Sequence, residues 1–265
     1  MRSKTILTAA AIAVAAGSAF PASAELVRLQ PRPGVELRLG VEARGNVQAV
    51  ALLFAGGHGR LSLDEGGQPQ TLRGNFLIRA RHFLAARGIA VVIVDAPSDR
   101  QSESGLTGYR QSGAHAAEIG VAIAAMRQRF GRPVWVVGTS NGSLSVASAA
   151  AQLQGPQRPD GAVFTSSVTQ QTRLNGSVFN VSLARYTGAA LVLSHEGDGC
   201  RATPAADSPR LLGALSAAQP RKMLTVTGGS PPRSDPCEAF SQHGFVGMEG
   251  QVMNMIADFI LRPSS

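Results

Sequence analysis

Residues Pro133–Leu153 read PVWVVGTSNGSLSVASAAAQL, and this stretch decides the fold. Pro133–Gly138 is an almost unbroken apolar run, the composition of a strand covered on both faces. Leu144–Leu153 is rich in alanine and reads as a helix. Between them, Gly138-Thr139-Ser140-Asn141-Gly142 matches G-x-S-x-G, a short pattern that gains meaning from its strand-to-helix context. A serine on such a turn is held in a strained backbone conformation with its hydroxyl above the sheet. The flanking glycines keep side chains out of the bend. The N-terminus of the new helix offers positive dipole and free N–H groups to a developing anion.

Working outward, the same alternation continues. Leu26–Leu29 and Val35–Val41 predict two leading strands, and Val47–Ala55 and Ile89–Asp95 predict buried ones. Gly74–Ala86 and Ala114–Phe130 carry apolar residues at three- to four-residue spacing and predict helices. Gly161–Thr165, Ala189–Ser194 and Met223–Val226 predict further strands, and Gly250–Leu261 a final helix. Strands alternating with helices require right-handed crossovers. They imply an α/β fold with a mostly parallel sheet covered by helices on both faces. Two long segments lack a periodic pattern, Pro97–Gly113 and Gly228–Gly244. Such loops inside a compact domain are usually functional or mobile.

The chain has 265 residues, 44% of them apolar, enough for one full core. With 16% charged residues it is no disordered chain. Arg2 and Lys4 precede an apolar run, and Ala22-Ser23-Ala24 offers small residues for cleavage. This is the layout of a secretory signal peptide over 1–24, leaving one domain over 25–265 in a secreted or periplasmic protein. Cleavage would lower the formal charge of +8 by two. In an oxidising compartment Cys200 and Cys237 are expected to pair. The basic residues are nearly all arginines, scattered and not interleaved with aromatics, so a solvated surface accounts for them better than a nucleic-acid partner. No later stretch is long and apolar enough to span a membrane, so no stable insertion is expected after cleavage.

In its element order and in GTSNG, the chain resembles the α/β-hydrolase superfamily. That resemblance places an acid after a late strand and a histidine near the C-terminus. Of five histidines, only His195 and His243 follow Ser140, and His243 lies between the last predicted strand and the last helix, at the family's position for the base. Asp198 follows the strand Ala189–Ser194 and is the expected acid, with Glu196 its nearest rival. A serine hydroxyl needs such a base to take its proton, and the acid orients the imidazole. The oxyanion donors are expected at the Asn141 amide and in Gly56-Gly57-His58-Gly59, where Gly57 and His58 remain equal candidates. That loop lacks the Lys-Ser/Thr ending of a phosphate-cradling P-loop. A Cys200–Cys237 bridge would tie the acid loop to the base loop.

No cysteine–histidine spacing suits zinc and no carboxylate run suits calcium, so neither metal nor cofactor is expected. The reading is therefore a serine hydrolase cleaving carboxylic esters, with a small-molecule or acyl-ester substrate, through Ser140, Asp198 and His243. A peptidase, thioesterase or acyltransferase using the same groups, or a non-catalytic binding protein on this fold, are the alternatives. Only 23 residues separate Thr165 from Ala189, so little or no lid is expected. The oligomeric state is not legible.

Overall fold

A computed structural model describes residues 24–172 and 174–264. The signal-peptide reading falls, apart from Ala24, outside the described residues. Eight strands form one sheet: β1 (Glu25–Arg32), β2 (Val35–Glu42), β3 (Ala49–Phe54), β4 (Ile89–Val94), β5 (Val134–Ser140), β6 (Gly161–Ser167), β7 (Ala189–His195) and β8 (Arg221–Val226). Their order is β1-β2-β4-β3-β5-β6-β7-β8. β2 runs antiparallel to both β1 and β4, and every pairing from β4 to β8 is parallel. Every residue of β3 and β4 is buried, which explains their unbroken apolar sequences.

Among the described residues six α-helices cover the sheet: α1 (Phe76–Ala80), α2 (His82–Ala85), α3 (Gly113–Phe130), α4 (Gly142–Gln152), α5 (Ser208–Ala214) and α6 (Glu249–Leu261). Side chains alternate across β3. Val50, Leu52 and Phe54 pack under α3 and α4, whereas Ala49, Ala51 and Leu53 pack under α1, α2 and α6. α3 starts where the Ser112 hydroxyl accepts from the His115 amide, and it stops at Gly131 in the left-handed region.

The structure corrects several boundaries. The helix expected over 74–86 is two short ones that meet at Arg81. The strand expected to end at Gly138 runs on to Ser140, so the motif serine is the last residue of β5. α5 was not expected: Ser208–Ala214 is too short for a helical period to stand out. Between β6 and β7 the described residues hold one three-residue 3-10 turn, Val178–Asn180, and no larger cap. Among the described residues no helix is long and apolar enough to cross a membrane.

Strand order reverses at β3. The chain goes from β3 to β4 on one side and then crosses to β5 on the other. Open α/β sheets present their binding crevice at the carboxyl ends of the strands at such a reversal. The loop after β3 begins at Ala55, and β5 ends at Ser140, so the topology brings Gly56, Gly57 and the motif serine to one rim.

Candidate active site

A cavity of about 480 Å³ opens at that rim, lined by Gly56, Gly57, Ser140, Asn141 and His243 among others. Ser140 has φ 52°, a left-handed conformation that a serine adopts only under strain. The motif glycines explain how the turn closes. A Cβ at Gly138 would collide with the Gly142 carbonyl, and one at Gly142 with the Phe54 carbonyl of β3. The backbones of β5, α4 and β3 therefore meet too closely for any side chain at these two positions. The Ser143 hydroxyl donates to the Ser140 carbonyl at 2.7 Å and accepts from the Val168 amide at 3.0 Å, tying the turn to the end of β6.

Asp198 and His243, 45 residues apart, meet directly. His243 Nδ1 lies 3.0 Å from Asp198 Oδ2, with both side chains almost fully buried. A carboxylate only accepts, so Nδ1 carries the proton, and Nε2 is left as the acceptor when the ring is neutral. Asp198 is itself fixed: the Cys200 amide donates to Oδ1 at 2.9 Å and the Thr203 hydroxyl to Oδ2 at 2.9 Å. Thr203 Oγ1 also lies 3.1 Å from His243 Nδ1, so the ring N–H is shared between the carboxylate and this hydroxyl. Ser140 and His243 line the same cavity, and no direct hydrogen bond joins their side chains among the described residues.

Cys200 and Cys237 form a disulfide that joins the loop after β7 to the loop carrying His243. On a loop-entropy model, closing a ring of this size stabilises by about 4 kcal/mol. Two further clasps hold the histidine loop. The Ser166 hydroxyl donates to the His243 carbonyl at 2.8 Å. Arg79 donates to the Gly244 carbonyl at 2.7 Å and to Glu249 Oε1 at 2.9 Å. Because the bridge is one clasp of three, a Cys200→Ala/Cys237→Ala protein is expected to fold but to lose stability and a larger share of turnover. Thermal unfolding and kcat on one sample check this; unchanged kcat in the folded variant would refute a positioning role.

The two oxyanion candidates of the loop after β3 separate in space. Gly57 lines the cavity with φ 56°, and its carbonyl accepts from Asn141 Nδ2 at 3.2 Å. Among the described residues its amide and that of Asn141 donate to no other group. His58 is not among the lining residues. Its Nδ1 accepts from the Arg60 amide at 3.1 Å, and its carbonyl accepts from the Leu106 amide. Burial, with Arg60 and Arg110 nearby, pushes its imidazole below the ordinary range.

The remaining polar residues sort by contact. Asp95 is buried just after β4 and accepts from the amides of Leu61, Ser62, Leu63 and Ala96, so it holds the loop after β3 in shape. His195 accepts from the Gly197 amide at Nδ1, and Nε2 therefore donates to the Gly228 carbonyl at 3.0 Å. Glu196 is exposed, whereas Glu238 lies on the cavity wall. Sequence reading missed Thr203 and Ser166. Neither belongs to a motif, and only the closeness of Thr203 to Asp198 in the same loop could have flagged it. Asn75 lines the cavity beside Ser140. Among the described residues no group of three or more His, Cys, Asp or Glu side chains could hold a metal.

No family model and no curated protein matches this chain. Solved structures do. A lid-less α/β serine hydrolase from Xanthomonas campestris is 17% identical over 93% of this chain and 97% of its own, with TM-score 0.58. An esterase from Pyrobaculum calidifontis is 16% identical over 93% and 87%, with TM-score 0.63. A Butyrivibrio proteoclasticus structure with ferulic acid bound is 14% identical over 89% and 98%, with TM-score 0.57. This chain has the α/β-hydrolase fold. At these identities the α/β-hydrolase likeness speaks for architecture, and the chemistry must be argued from the side chains.

Proposed function

We propose that this α/β-hydrolase-fold chain is an exported serine hydrolase that cleaves carboxylic esters. The observation that carries the reading is the strained Ser140 at the head of α4 sharing a cavity with His243, whose Nδ1 is held by buried Asp198. The attack requires Ser140 Oγ to come within hydrogen-bond reach of Nε2. His243 Nε2 takes the hydroxyl proton as Oγ adds to the ester carbonyl, and Asp198 stabilises the imidazolium. The tetrahedral oxyanion is met by the amides of Asn141 and Gly57, the latter being the preferred donor over His58 because it borders the cavity. Collapse expels the alcohol with the proton from His243. Water, activated by the same ring, then hydrolyses the acyl group from Ser140.

The walls support a small, largely apolar substrate. Leu72, Phe76, Val168, Leu174 and Ala202 line the cavity, and no helical cap among the described residues covers it. The disulfide agrees with export to an oxidising compartment.

A fluorophosphonate probe is expected to label the wild-type protein at Ser140, located by peptide mass spectrometry. A panel of p-nitrophenyl esters set against thioesters, aminoacyl amides and acyl acceptors is expected to show fastest turnover on the esters. Failure to label would refute a serine hydrolase. Faster amide cleavage, thioester cleavage or acyl transfer would replace the ester assignment with that class.

A further inference from the structure

Arg110 sits in the loop between β4 and α3, only 2% exposed, with no carboxylate within ion-pair distance among the described residues. Its guanidinium instead joins two parts of the site. One terminal nitrogen donates to Ser145 Oγ on α4 at 2.8 Å. The other donates to the Ala55 carbonyl at 2.9 Å and the Gly57 carbonyl at 3.3 Å, in the loop after β3. The loop wraps closely around it: Gly59 has φ 75°, and a Cβ there would collide with the same nitrogen. Nε is buried and has no partner.

Behind Arg110 lies a polar chain. Burial holds His115 below its ordinary pKa range and therefore neutral, so Nδ1–H faces Glu118 Oε2 at 3.4 Å. Ser145 Oγ then donates to His115 Nε2 at 3.0 Å while accepting from Arg110. Glu118 also accepts from Tyr109 and Arg32, each at 2.9 Å. The counter-charge thus lies two side chains away from Arg110. For stability alone, an apolar side chain would avoid the cost of burying a guanidinium without a paired anion. Burial lowers its pKa to about 9, which still leaves it protonated at neutral pH.

We infer that Arg110 is a positioning residue: it clamps the Ala55 and Gly57 carbonyls to α4, setting the Gly57 amide against the Ser140 turn and placing a positive charge behind the developing oxyanion. The inference rests on the proposed hydrolase reading and names a part of the machinery that no motif marks. A preorganised charge in a water-excluded place acts on the transition state more than on the bound ester, so its loss should reduce kcat and spare KM.

Wild-type, Arg110→Met and Arg110→Lys proteins are compared in three measurements: kcat and KM on p-nitrophenyl acetate, affinity for phenylboronic acid, and amide hydrogen exchange over 55–59. The boronate adds to the serine as a tetrahedral mimic. Arg110→Met is expected to lose about 10²-fold in kcat with KM within about twofold. Boronate affinity should fall in parallel and exchange over 55–59 should quicken. Arg110→Lys, which keeps the charge but not the fork, should show a smaller loss of the same kind. A folded variant with wild-type kcat and boronate affinity overturns the inference, even if exchange quickens. Should Arg110→Met fail to fold, Arg110→Lys decides by the same criteria. If the wild type neither turns over esters nor labels, the hydrolase reading fails, and unchanged exchange over 55–59 in the variants would separately overturn the clamp.

Discussion

Ser140→Ala is expected to remove ester turnover by about six orders of magnitude in kcat, the scale seen when a triad-type hydrolase loses its nucleophile. The expectation is local. The substitution deletes one oxygen at the end of β5, and neither motif glycine contact depends on it. The backbone is held at φ 52° by Gly138, Gly142 and the Ser143 bond to the Ser140 carbonyl, all of which remain. The variant should therefore fold, bind substrate and fail at the covalent step. Steady-state kinetics beside an unfolding curve tests this. Turnover within tenfold of wild type by the folded variant would mean that the chemistry lies elsewhere.

Asp198→Asn is expected to lower kcat by about 10⁴ while the protein stays folded. The Cys200 amide donates to one side-chain oxygen and can keep it in place. The new amide nitrogen then faces the Thr203 hydroxyl and His243 Nδ1, where the carboxylate accepted from both. Two N–H groups cannot point at each other. The ring must move its proton to Nε2, the atom that has to accept from Ser140. The protein would thus hold the right side chains in the wrong tautomer. The fluorophosphonate labelling rate should drop with kcat, because both report the nucleophilicity of Ser140. A folded Asp198→Asn protein labelled at the wild-type rate would move the acid role to another carboxylate.

Much of the architecture was legible in the chain because burial on both faces leaves a direct trace. Val47–Ala55 and Ile89–Asp95 read as buried strands for the same reason that β3 and β4 are covered by helices on both sides. The edges were less legible. β8 alternates poorly and is exposed at Arg221, Lys222 and Met223, so its first residues carry no apolar signal. The helix expected over 74–86 kept its apolar spacing across Arg81, where the hydrogen-bonded helix is interrupted. Periodicity reports which face is buried, and the continuity of the backbone ladder is a separate matter.

The sequence by itself determined the strand–turn–helix around Ser140, because glycines at 138 and 142 are what two closely approaching backbones demand. It also paired the two cysteines and, with the family resemblance, pointed to Asp198 after β7 and His243 between β8 and α6. Only the tertiary structure decided the rest. It set Gly57 at the cavity and His58 away from it, gave Asp198 its Thr203 partner, and drew Arg110 beneath the loop after β3. These contacts join residues from separate loops, and their geometry is set by how the strands stack and where the order reverses. Such information is shared among many distant positions, so no single stretch of the chain displays it.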